Sequence, residues 1–534
     1  MKAATWWAEY LRTRGIRFAF GQGGLEVVEH LEALRAAGID LVWTHHESTA
    51  AFAAAALGEL TAVPGLCVAT RGPGGTNMLT GVAHALLDRA PLLAVTGDTD
   101  PALSAALPHQ NLPMVRLFEP VVKRASRLTA ENVRFELPAA FDLTTDDPPG
   151  PVFLAFPQAE ASREVPEAGA FVQPVLEAEA NADPKAIATA ACRIASARRP
   201  ALFVGLGARE LEAERLLVGV AEALGAPVVV TPKAKGYFPA DHPLFAGVYP
   251  AYQAAPVKAL LRQADLVVGV GLDPVEMLRP WPFEIPVVAI GPVAGTPYFP
   301  DCLDVRVTSY PSLVEALGGR GARGEWPAGT AAATRCEVRR LLDPGWRGSR
   351  PKGLAPQEVL AALRRALRRD AIVTCDVGSH RQLAAQAWPT YWPRTFLTSN
   401  GLSSVGFALP AALAAKLECP DRQVCCLVGD GGLLAALGDL QTLVRLRLGV
   451  LIVVWADEGS SNTKLVHEAA GYPTGGTFTG AVDFEAVARS LGLWSATIGA
   501  NDRSASVFEA ALAQPGPALV QVPLAYDVYR DMEL

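Results

Sequence analysis

Short apolar runs alternate with longer helical runs along almost the whole chain, and this rhythm constrains the fold more than any other feature. The apolar runs are continuous rather than alternating, as in Leu66–Ala69, Leu92–Thr96 and Val450–Val454. Runs of this kind are typical of parallel strands that are buried on both faces. Strands that alternate with helices predict an α/β fold built from doubly wound parallel sheets.

The rhythm occurs three times, and polar or glycine-rich stretches separate the occurrences. The predicted domains are residues 1–159, 184–317 and 351–534, with linkers at 160–183 and 318–350. Ligands of such sheets bind beyond the carboxyl ends of the strands, so candidate site residues are expected there. The predicted strands are Phe18–Phe20, Leu41–Trp43, Leu66–Ala69, Leu92–Thr96, Val152–Phe156, Ala201–Val204, Pro227–Val230, Leu266–Val270, Val287–Ile290, Ala371–Cys375, Val424–Val428, Val450–Val454 and Ala518–Val522.

Charge and cysteine content argue against several classes of function. The net charge is −7 and no long basic run occurs, so we expect neither a nucleic-acid nor an anionic-membrane partner. No apolar stretch is long enough to span a bilayer, and the N-terminus lacks the pattern of a signal peptide. The eight cysteines are scattered without a Cys-x-x-Cys pair, which predicts reduced thiols and a cytoplasmic location.

Two acidic residues follow two successive predicted strands and form the first candidate site. Gly429-Asp430-Gly431-Gly432 ends the strand Val424–Val428, and Asp457 follows the strand Val450–Val454. Glycines let the backbone approach a ligand, and the helix predicted to follow offers free N–H groups to an anion. Two carboxylates at one sheet edge are candidate ligands of Mg²⁺. A strand-end turn without any ligand is the alternative for the Gly-Asp-Gly motif.

This segment resembles the signature of the thiamine-diphosphate enzymes. In that signature a second metal ligand follows Gly-Asp-Gly at the spacing that separates Asp457 from Asp430 here. The family usually ends the signature with Asn-Asn, whereas this chain has Ala456-Asp457, as in the catabolic acetolactate synthase variant. The resemblance implies Mg²⁺ bound by Asp430, Asp457 and the carbonyl of Gly459. It also implies that the three domains are a pyrimidine-binding, a central and a diphosphate-binding domain.

A glutamate after an early strand is the candidate catalytic residue. Glu47 lies between the predicted strand Leu41–Trp43 and an alanine-rich helix. In the family that it resembles, a buried glutamate hydrogen-bonds the pyrimidine ring of the cofactor and activates it, and a low dielectric strengthens that bond. A glutamate that merely favours the helix dipole is the alternative.

Further segments resemble the cofactor contacts of the family, in the same order along the chain. In the segment 402–410, Val405 would wedge between the two cofactor rings, while the backbone of Ser403 and Val405 would hold the pyrimidine. A valine of the hydrophobic core is the alternative. The residues implied at the diphosphate are Gly378, Ser379, His380, Asp430, Gly431 and Gly432.

Loops of the first domain resemble those that face the substrate in this family. The segments 20–24 and 72–77 match its two glycine-rich loops, and His109-Gln110 stands where a Phe-Gln pair is common. His109 and Gln110 are therefore candidate catalytic residues, and a histidine can donate a proton near neutral pH. A solvated loop histidine is the alternative for His109.

The resemblance implies that the chain decarboxylates a 2-keto acid and joins the acyl-anion equivalent to a carbonyl acceptor, as an acetolactate synthase-like carboligase. The alternatives are a simple decarboxylase that releases an aldehyde, a cofactor-binding homologue without turnover, and an FAD-linked oxidase. Ser460, Ser461, His109 and Asn111 depart from the pocket of the family, which suggests a substrate other than plain pyruvate.

The resemblance also bears on a second cofactor and on assembly. The central domain lacks the arginine-rich stretch that biosynthetic acetolactate synthases use for FAD, so we expect no FAD. In this family the cofactor lies between the first domain of one subunit and the third domain of another. A homodimer or homotetramer is therefore implied.

Overall fold

A computed structural model gives the fold of the chain. It describes residues 1–100, 102–103, 106–166, 183–209, 213–295, 298–307, 310–317, 324–343, 354–477, 480–499, 504–524, 529–530 and 532. The described residues form three α/β units, each built on a parallel sheet of six strands, as the alternation of apolar and helical runs predicts. All thirteen predicted strands are present, with ends that differ by two residues at most.

The first unit contains a sheet with the strand order β2-β1-β3-β4-β6-β5. Its strands are β1 (Phe18–Gly21), β2 (Asp40–Trp43), β3 (Gly65–Ala69), β4 (Leu92–Thr96), β5 (Arg124–Arg127) and β6 (Pro151–Ala155). Its helices are α1 (Ala3–Thr13), α2 (Val28–Ala36), α3 (Glu47–Thr61), α4 (Pro73–Leu87), α5 (Met114–Phe118), α6 (Val133–Thr145) and α7 (Gln158–Ser162).

The central unit contains a sheet with the strand order β12-β11-β10-β7-β8-β9, which is the arrangement of the doubly wound dinucleotide-binding fold. Its strands are β7 (Pro200–Val204), β8 (Val228–Val230), β9 (Phe245–Val248), β10 (Leu266–Val270), β11 (Val287–Gly291) and β12 (Cys302–Arg306). The helices of this region are α8 (Pro184–Ser196), α9 (Glu214–Leu224), α10 (Ala255–Leu261), α11 (Tyr310–Leu317) and α12 (Thr330–Leu342). Helix α12 lies within the segment interpreted as the second linker.

The third unit contains a sheet with the strand order β14-β13-β15-β16-β18-β17. Its strands are β13 (Ile372–Cys375), β14 (Phe396–Thr398), β15 (Val424–Gly429), β16 (Val450–Ala456), β17 (Trp494–Thr497) and β18 (Ala518–Pro523). Its helices are α13 (Pro356–Ala366), α14 (Ser379–Ala387), α15 (Ala408–Glu418), α16 (Asp430–Ala435), α17 (Leu440–Arg445), α18 (Ser461–Ala470), α19 (Phe484–Ser490) and α20 (Ser504–Leu512).

The first and third units pack against each other through two alanine-rich helices. Helices α3 and α15 are buried over most of their length, and their residues belong to one continuous hydrophobic cluster. Alanine faces let two helix backbones approach closely, and Phe52 and Phe407 meet edge to face across this contact. The contact holds the first and third sheets of one chain in a fixed relation.

Two segments differ from the sequence-based expectation. The second glycine-rich loop is largely helical, because α4 begins at Pro73, a residue well suited to the first helical position. The helix expected after the Gly-Asp-Gly motif is split into α16 and α17 near Gly438. There the side chain of Asp439 accepts a hydrogen bond from the backbone N–H of His45 at 2.9 Å, which ties the third unit to the segment that precedes Glu47.

Candidate functional site

The carboxyl ends of β15 and β16 bring the two predicted metal-binding residues to one edge of the third sheet. Gly429 and Trp455 are partners in the parallel register, so Asp430 and Asp457 lie one and two residues beyond this pair. Asp430 is buried at the first residue of α16, and Asp457 is half-buried. Both carboxylates therefore lie where parallel sheets bind their ligands.

The electrostatics of this edge suit a cation. Burial, together with the nearby charge of Asp430, raises the pKa of Asp457 to about 7, although the hydroxyl of Ser461 and the amide of Gly459 donate to its carboxylate. Within the described ranges, no cluster of three His, Cys, Asp or Glu side chains could hold a metal. A hard cation here would therefore complete its shell with backbone carbonyls, water and ligand oxygens, as Mg²⁺ does at phosphates.

The end of β13 carries three of the residues predicted at the diphosphate. Gly378 has a φ of 151°, and α14 begins at Ser379, so its first amide groups are free of intrahelical partners. The ring of His380 is buried beside Gly378 and Gly429. Burial and the neighbouring Arg381 lower the pKa of His380 to about 3, and its Nε2 has no hydrogen-bond partner among the described residues. A polar ligand would satisfy this buried nitrogen.

The two glycines after Asp430 have different surroundings. A Cβ at Gly431 would meet no atom within 4 Å, so this glycine borders open space beside the acidic pair. A Cβ at Gly432 would lie 3.0 Å from Cγ of Asp376, so a side chain there would crowd the carboxylate. Gly431 thus leaves room for a ligand, whereas Gly432 leaves room for Asp376.

Asp376 fastens the loop that carries the predicted pyrimidine contacts. Its carboxylate accepts hydrogen bonds from the backbone N–H groups of Gly406 and Ala408, each at 3.0 Å. Ser403 has a φ of 54° in the same loop, and the side chain of Val405 is 49% exposed. The alternative of a core valine at Val405 is therefore wrong, and the side chain is free to meet a ligand.

Glu47 lies at the carboxyl edge of the first sheet, as predicted. It is the first residue of α3 and only 6% exposed, and its Oε2 accepts a hydrogen bond from Nδ2 of Asn77 at 2.9 Å. His46 caps this helix by accepting a hydrogen bond from the N–H of Ser48. A Cβ at Gly74 would lie 3.5 Å from Oε1 of Glu47, so the start of α4 closes over the carboxylate.

The His109-Gln110 pair lies against the start of α4. Gln110 has a φ of 54°, and a Cβ at Gly72 would lie 2.9 Å from Cβ of Gln110. His109 is exposed, which suits both a substrate-facing residue and a solvated loop histidine. The predicted site residues thus fall into two groups, one with Glu47 at the edge of the first sheet and one with Asp430 at the edge of the third.

The edge of the first sheet also carries a charged cluster that the sequence reasoning missed. The hydroxyl of Thr70 donates to Oε2 of Glu26 at 2.6 Å, and this bond is the main cause that lowers the pKa of Glu26. Arg71 donates from Nη1 to Oγ1 of Thr99 at 3.1 Å. An arginine directly before Gly-Pro-Gly in a substrate-facing segment was the signal that could have identified it.

A second missed group links the central unit to the third. The side-chain oxygen of Asn462, on α18, accepts hydrogen bonds from the hydroxyls of Ser379 and Tyr252, the former at 2.7 Å. Tyr252 follows β9, Ser379 begins α14, and Asn462 lies five residues after Asp457. The segment after the acidic pair is therefore fixed to both neighbouring elements.

A buried cluster of ion pairs, the Lys233 junction, joins all three units. It lies close to the loop whose backbone N–H groups bind Asp376. Nζ of Lys233 lies 2.8 Å from both carboxylate oxygens of Glu59 and 3.1 Å from Oδ1 of Asp88. Oδ1 of Asp88 also accepts a hydrogen bond from the N–H of Asn400 at 2.8 Å. Nδ1 of His84 lies 3.0 Å from the carboxylate of Asp88 and also forms a hydrogen bond with the hydroxyl of Ser399, which precedes Asn400. The start of the loop is thus held by charges from the other two units.

Models of one enzyme family match three stretches of the chain. Residues 1–114 match the thiamine pyrophosphate enzyme N-terminal TPP-binding domain, and residues 187–291 match the central domain. Residues 376–522 match the C-terminal TPP-binding domain. These stretches contain most of the three sheets and both groups of predicted site residues.

Curated relatives are similar over nearly the full chain. The acetolactate synthase large subunit of Parasynechococcus marenigrum (strain WH8102) is 30% identical over 548 residues, which cover 96% of this chain and 86% of the relative. The catabolic acetolactate synthase of Raoultella terrigena is 29% identical, with 97% and 94% covered. The acetolactate synthase of Bacillus subtilis (strain 168) is 27% identical, with 96% and 91% covered.

A helix that crosses a bilayer needs about 20 predominantly apolar residues. In the described part of the chain, every helix is too short or too polar to cross a membrane.

Proposed function

The chain belongs to the thiamine pyrophosphate enzymes, and on this premise we propose that it decarboxylates a 2-keto acid and joins the acyl-anion equivalent to a carbonyl acceptor. Thiamine pyrophosphate and thiamine diphosphate are one compound. The similarity to acetolactate synthases over nearly the full chain favours a carboligase over a simple decarboxylase and over a homologue without turnover.

The observation that carries the proposal is the pairing of Asp430 with Asp457 at adjacent strand ends. Two close carboxylates, a buried histidine with an unpartnered nitrogen, and free amides at the start of α14 form a donor set that suits a metal diphosphate. We propose that Asp430, Asp457 and the carbonyl of Gly459 hold Mg²⁺. Gly378, Ser379, His380, Gly431 and Gly432 would line the diphosphate.

The bound cofactor supplies a carbon nucleophile and an electron sink for the electron pair that departing CO₂ leaves behind. Glu47 would hold a proton between its carboxylate and the pyrimidine nitrogen, in a buried position where such a bond is strong. Val405 would hold the two rings at an angle, with the backbone of Ser403 beside the pyrimidine. His109 and Gln110 would contact the reacting carbonyl from the edge of the first sheet.

The first experiment measures CO₂ release and carboligation product from a panel of 2-keto acids, with thiamine diphosphate and Mg²⁺, with and without carbonyl acceptors. Glu47→Gln should bind the cofactor normally and lose at least about 100-fold in CO₂ release, in the range of lost acid–base catalysis. Glu164→Gln is the matched control, because Glu164 is 85% exposed. Equal activity of Glu47→Gln and wild type would contradict the assignment.

The metal assignment is tested at Asp457. Asp457→Asn keeps an oxygen ligand and should retain activity within about 10-fold, with a higher Mg²⁺ requirement, because one negative charge at the metal is lost. Asp457→Leu should lose both metal and cofactor binding in calorimetric titrations. Asp241→Asn changes an exposed aspartate and should leave the Mg²⁺ requirement unaltered. A Leu variant with normal metal binding would overturn the assignment.

We also propose that the enzyme has no FAD. The loops at the carboxyl ends of β7 and β10 contact each other, with the N–H of Gly207 donating to the carbonyl of Gly271 at 2.8 Å. The buried side chain of Glu276 lies beside them and accepts from the N–H of Leu206. This leaves little room for a dinucleotide at the usual position. A flavin absorption band in the purified protein would refute the proposal.

The predicted site residues lie in two different units of the chain, and the resemblance implies that one site combines residues of two chains. We propose a homodimer or homotetramer in which Glu47 of one chain serves the cofactor held by the third unit of another, within a reducing compartment that suits eight free cysteines. Glu47→Gln and Asp430→Leu chains should each be inactive, and mixing them should restore activity because hybrid dimers contain one intact site. Activity that stays absent after subunit exchange would place both residues of a site in one chain.

A further inference from the structure

Arg71 is an arginine with few partners for its position. Its side chain is 15% exposed, and its ion pair with Glu26 is long, at 3.8 Å between Nη2 and Oε1. A guanidinium carries five N–H donors, yet among the described residues Arg71 makes one hydrogen bond, to Thr99, and its Nε has no partner. Leaving such donors without acceptors in a largely buried place costs free energy.

Arg71 lies among the predicted catalytic residues of the first unit. It follows β3 and directly precedes Gly72, against which Gln110 packs. Gly74, three residues further along, lies beside the carboxylate of Glu47. The carboxylate of Glu26 lies 3.8 Å from the guanidinium and also interacts with the charge of His109, so the guanidinium lies on the part of the edge that carries the His109-Gln110 pair. Because Nε is enclosed by protein, a ligand at this place would meet the terminal nitrogens.

The formal charges around Arg71 balance. Asp98 already has its own cation, since its Oδ2 lies 2.6 Å from Nη2 of Arg127. Glu26 balances Arg71 at long range, and His109 lies close enough to Glu26 to interact with its charge. The edge thus carries no strong field of either sign. Binding at Arg71 would depend on directed N–H donors, which suit the planar oxygens of a carboxylate.

The chemistry of decarboxylation restricts which carboxylate this is. The carboxylate that leaves loses its negative charge as CO₂ forms, so a cation paired with it stabilises the ground state more than the transition state and slows the step. A carboxylate that stays on the molecule keeps its charge throughout. An arginine at this place is therefore productive only with a carboxylate that is not lost.

We propose that Arg71 is a specificity-determining residue that binds a non-departing carboxylate of the substrate, an inference that rests on the proposed function. That carboxylate belongs either to the distal end of a dicarboxylic 2-keto acid donor or to a 2-keto acid acceptor. Both sources present the same planar anion to the two terminal nitrogens of the guanidinium.

The test compares Arg71→Met, Arg71→Lys and the control Arg35→Met, which changes an exposed arginine, in the enzyme loaded with thiamine diphosphate and Mg²⁺. The donor arm measures CO₂ release from pyruvate and from 2-oxoglutarate without an acceptor. The acceptor arm keeps the donor fixed and measures product from pyruvate or from acetaldehyde as acceptor. Arg71→Lys keeps the charge without the planar fork, and it also covers the case in which Arg71→Met does not fold.

We expect Arg71→Met to raise KM about 10- to 100-fold for the substrate with the retained carboxylate, the loss typical of one charged hydrogen-bonded pair. Arg71→Lys should fall between this variant and wild type, and kcat for pyruvate decarboxylation should stay within about 2-fold. A change confined to 2-oxoglutarate identifies the donor as the source. A change confined to pyruvate in the acceptor arm identifies the acceptor.

Two results would overturn the inference, and a separate readout distinguishes its failure from that of the proposed function. Equal KM changes for charged and neutral substrates, or the same changes in Arg35→Met, would remove Arg71 from substrate binding. If wild type releases no CO₂ from any donor, the proposed function fails instead. Calorimetric binding of malonate to the loaded enzyme then still tests the subsite: loss of binding only in the Arg71 variants supports it, and unchanged binding refutes it.

Discussion

The pKa of a buried carboxyl group in this chain depends on whether a cation lies beside it. Asp88 is buried against Lys233 and His84, and these partners hold its pKa well below the usual range despite burial. Glu276 is equally buried, but Lys233 is only a weak influence there and burial raises its pKa to about 8. Glu276 is therefore a neutral acid near pH 7, whereas Asp88 is ionised.

Glu276 should make the protein less stable as the pH rises. The pKa of Glu276 is higher in the folded chain, at about 8, than in the unfolded chain, at about 4.5. Its contribution to the free energy of unfolding is therefore fully present below pH 4.5 and is lost as the pH rises through about 8. Glu276→Gln mimics the neutral acid and keeps an acceptor for the N–H of Leu206. We expect the thermal midpoint of this variant to exceed that of wild type increasingly between pH 5 and pH 9.

The comparison with wild type is needed because other groups titrate in the same range. Burial lowers the pKa of Lys235 to about 7, and this contributes stability that rises with pH between about 7 and 10.5. That contribution cancels in the difference between wild type and Glu276→Gln. A difference that is constant with pH would show that Glu276 is ionised in the folded protein.

At the scale of elements, the loop between β14 and α15 depends on one carboxylate. Asp376 accepts the N–H groups of Val377, Gly406 and Ala408 and is fully enclosed. Asp376→Ala should free the loop and weaken thiamine diphosphate binding by about 10-fold or more, the cost of leaving enclosed N–H groups without an acceptor. Calorimetric titration in the presence of Mg²⁺ measures this.

Asp376→Asn provides the matched variant. The amide keeps one oxygen for Val377 and Gly406 but turns an NH₂ group toward the N–H of Ala408, so an intermediate affinity is expected. Wild-type affinity in both variants would mean that the loop is fixed by its other contacts, such as the hydroxyl of Ser399 that accepts from the N–H of Ser404.

The strands that sequence reasoning found and missed divide by position in the sheet. Every strand inside a sheet carries the continuous apolar run expected of burial on both faces, and each was predicted. The five missed strands all lie at sheet edges, and of the six edge strands only β2 was found. Edge strands are short or partly exposed, and three of them are largely half-exposed along their length, so no apolar run identifies them. The missed strands are β5, β9, β12, β14 and β17.

The candidate site shows the same limit. Asp430, Asp457 and Glu47 could be placed from sequence because each follows a recognisable buried strand. Arg71 and Asp376 also follow strands, but their roles depend on hydrogen-bond partners that are distant in the chain. Arg71 donates to Thr99, and Asp376 accepts from the N–H of Gly406. Long-range partners of this kind are fixed by tertiary packing rather than by any local pattern.

At the scale of the whole molecule, the Lys233 junction makes the three units depend on one another. Lys233→Met would remove the cation nearest to the buried carboxylates of Glu59 and Asp88 and leave Glu59 with Arg209 at 3.7 Å and Asp88 with His84 at 3.0 Å. Breaking a buried ion pair costs about 3–5 kcal/mol in comparable cases. We expect a lower thermal midpoint and weaker cofactor binding, because Asp88 also holds the N–H of Asn400. Thermal unfolding and cofactor titration measure the two effects.

A second substitution separates charge from packing. Lys233→Met with Glu59→Gln removes one of the two buried carboxylates that lost Lys233 and should recover part of the lost stability. Lys2→Met serves as the control, because Lys2 pairs with Glu29 at the surface and such pairs contribute little. A Lys233→Met protein as stable as the control would show that the junction contributes no coupling.

The first and third sheets share one strand order, and this places opposite charges at one topological position. Both sheets follow one connection scheme, so the third strand of one corresponds to the third strand of the other. Arg71 follows that strand in the first unit, and Asp430 follows it in the third. One connection scheme thus supplies one strand end that suits an anion and another strand end that suits a metal ion.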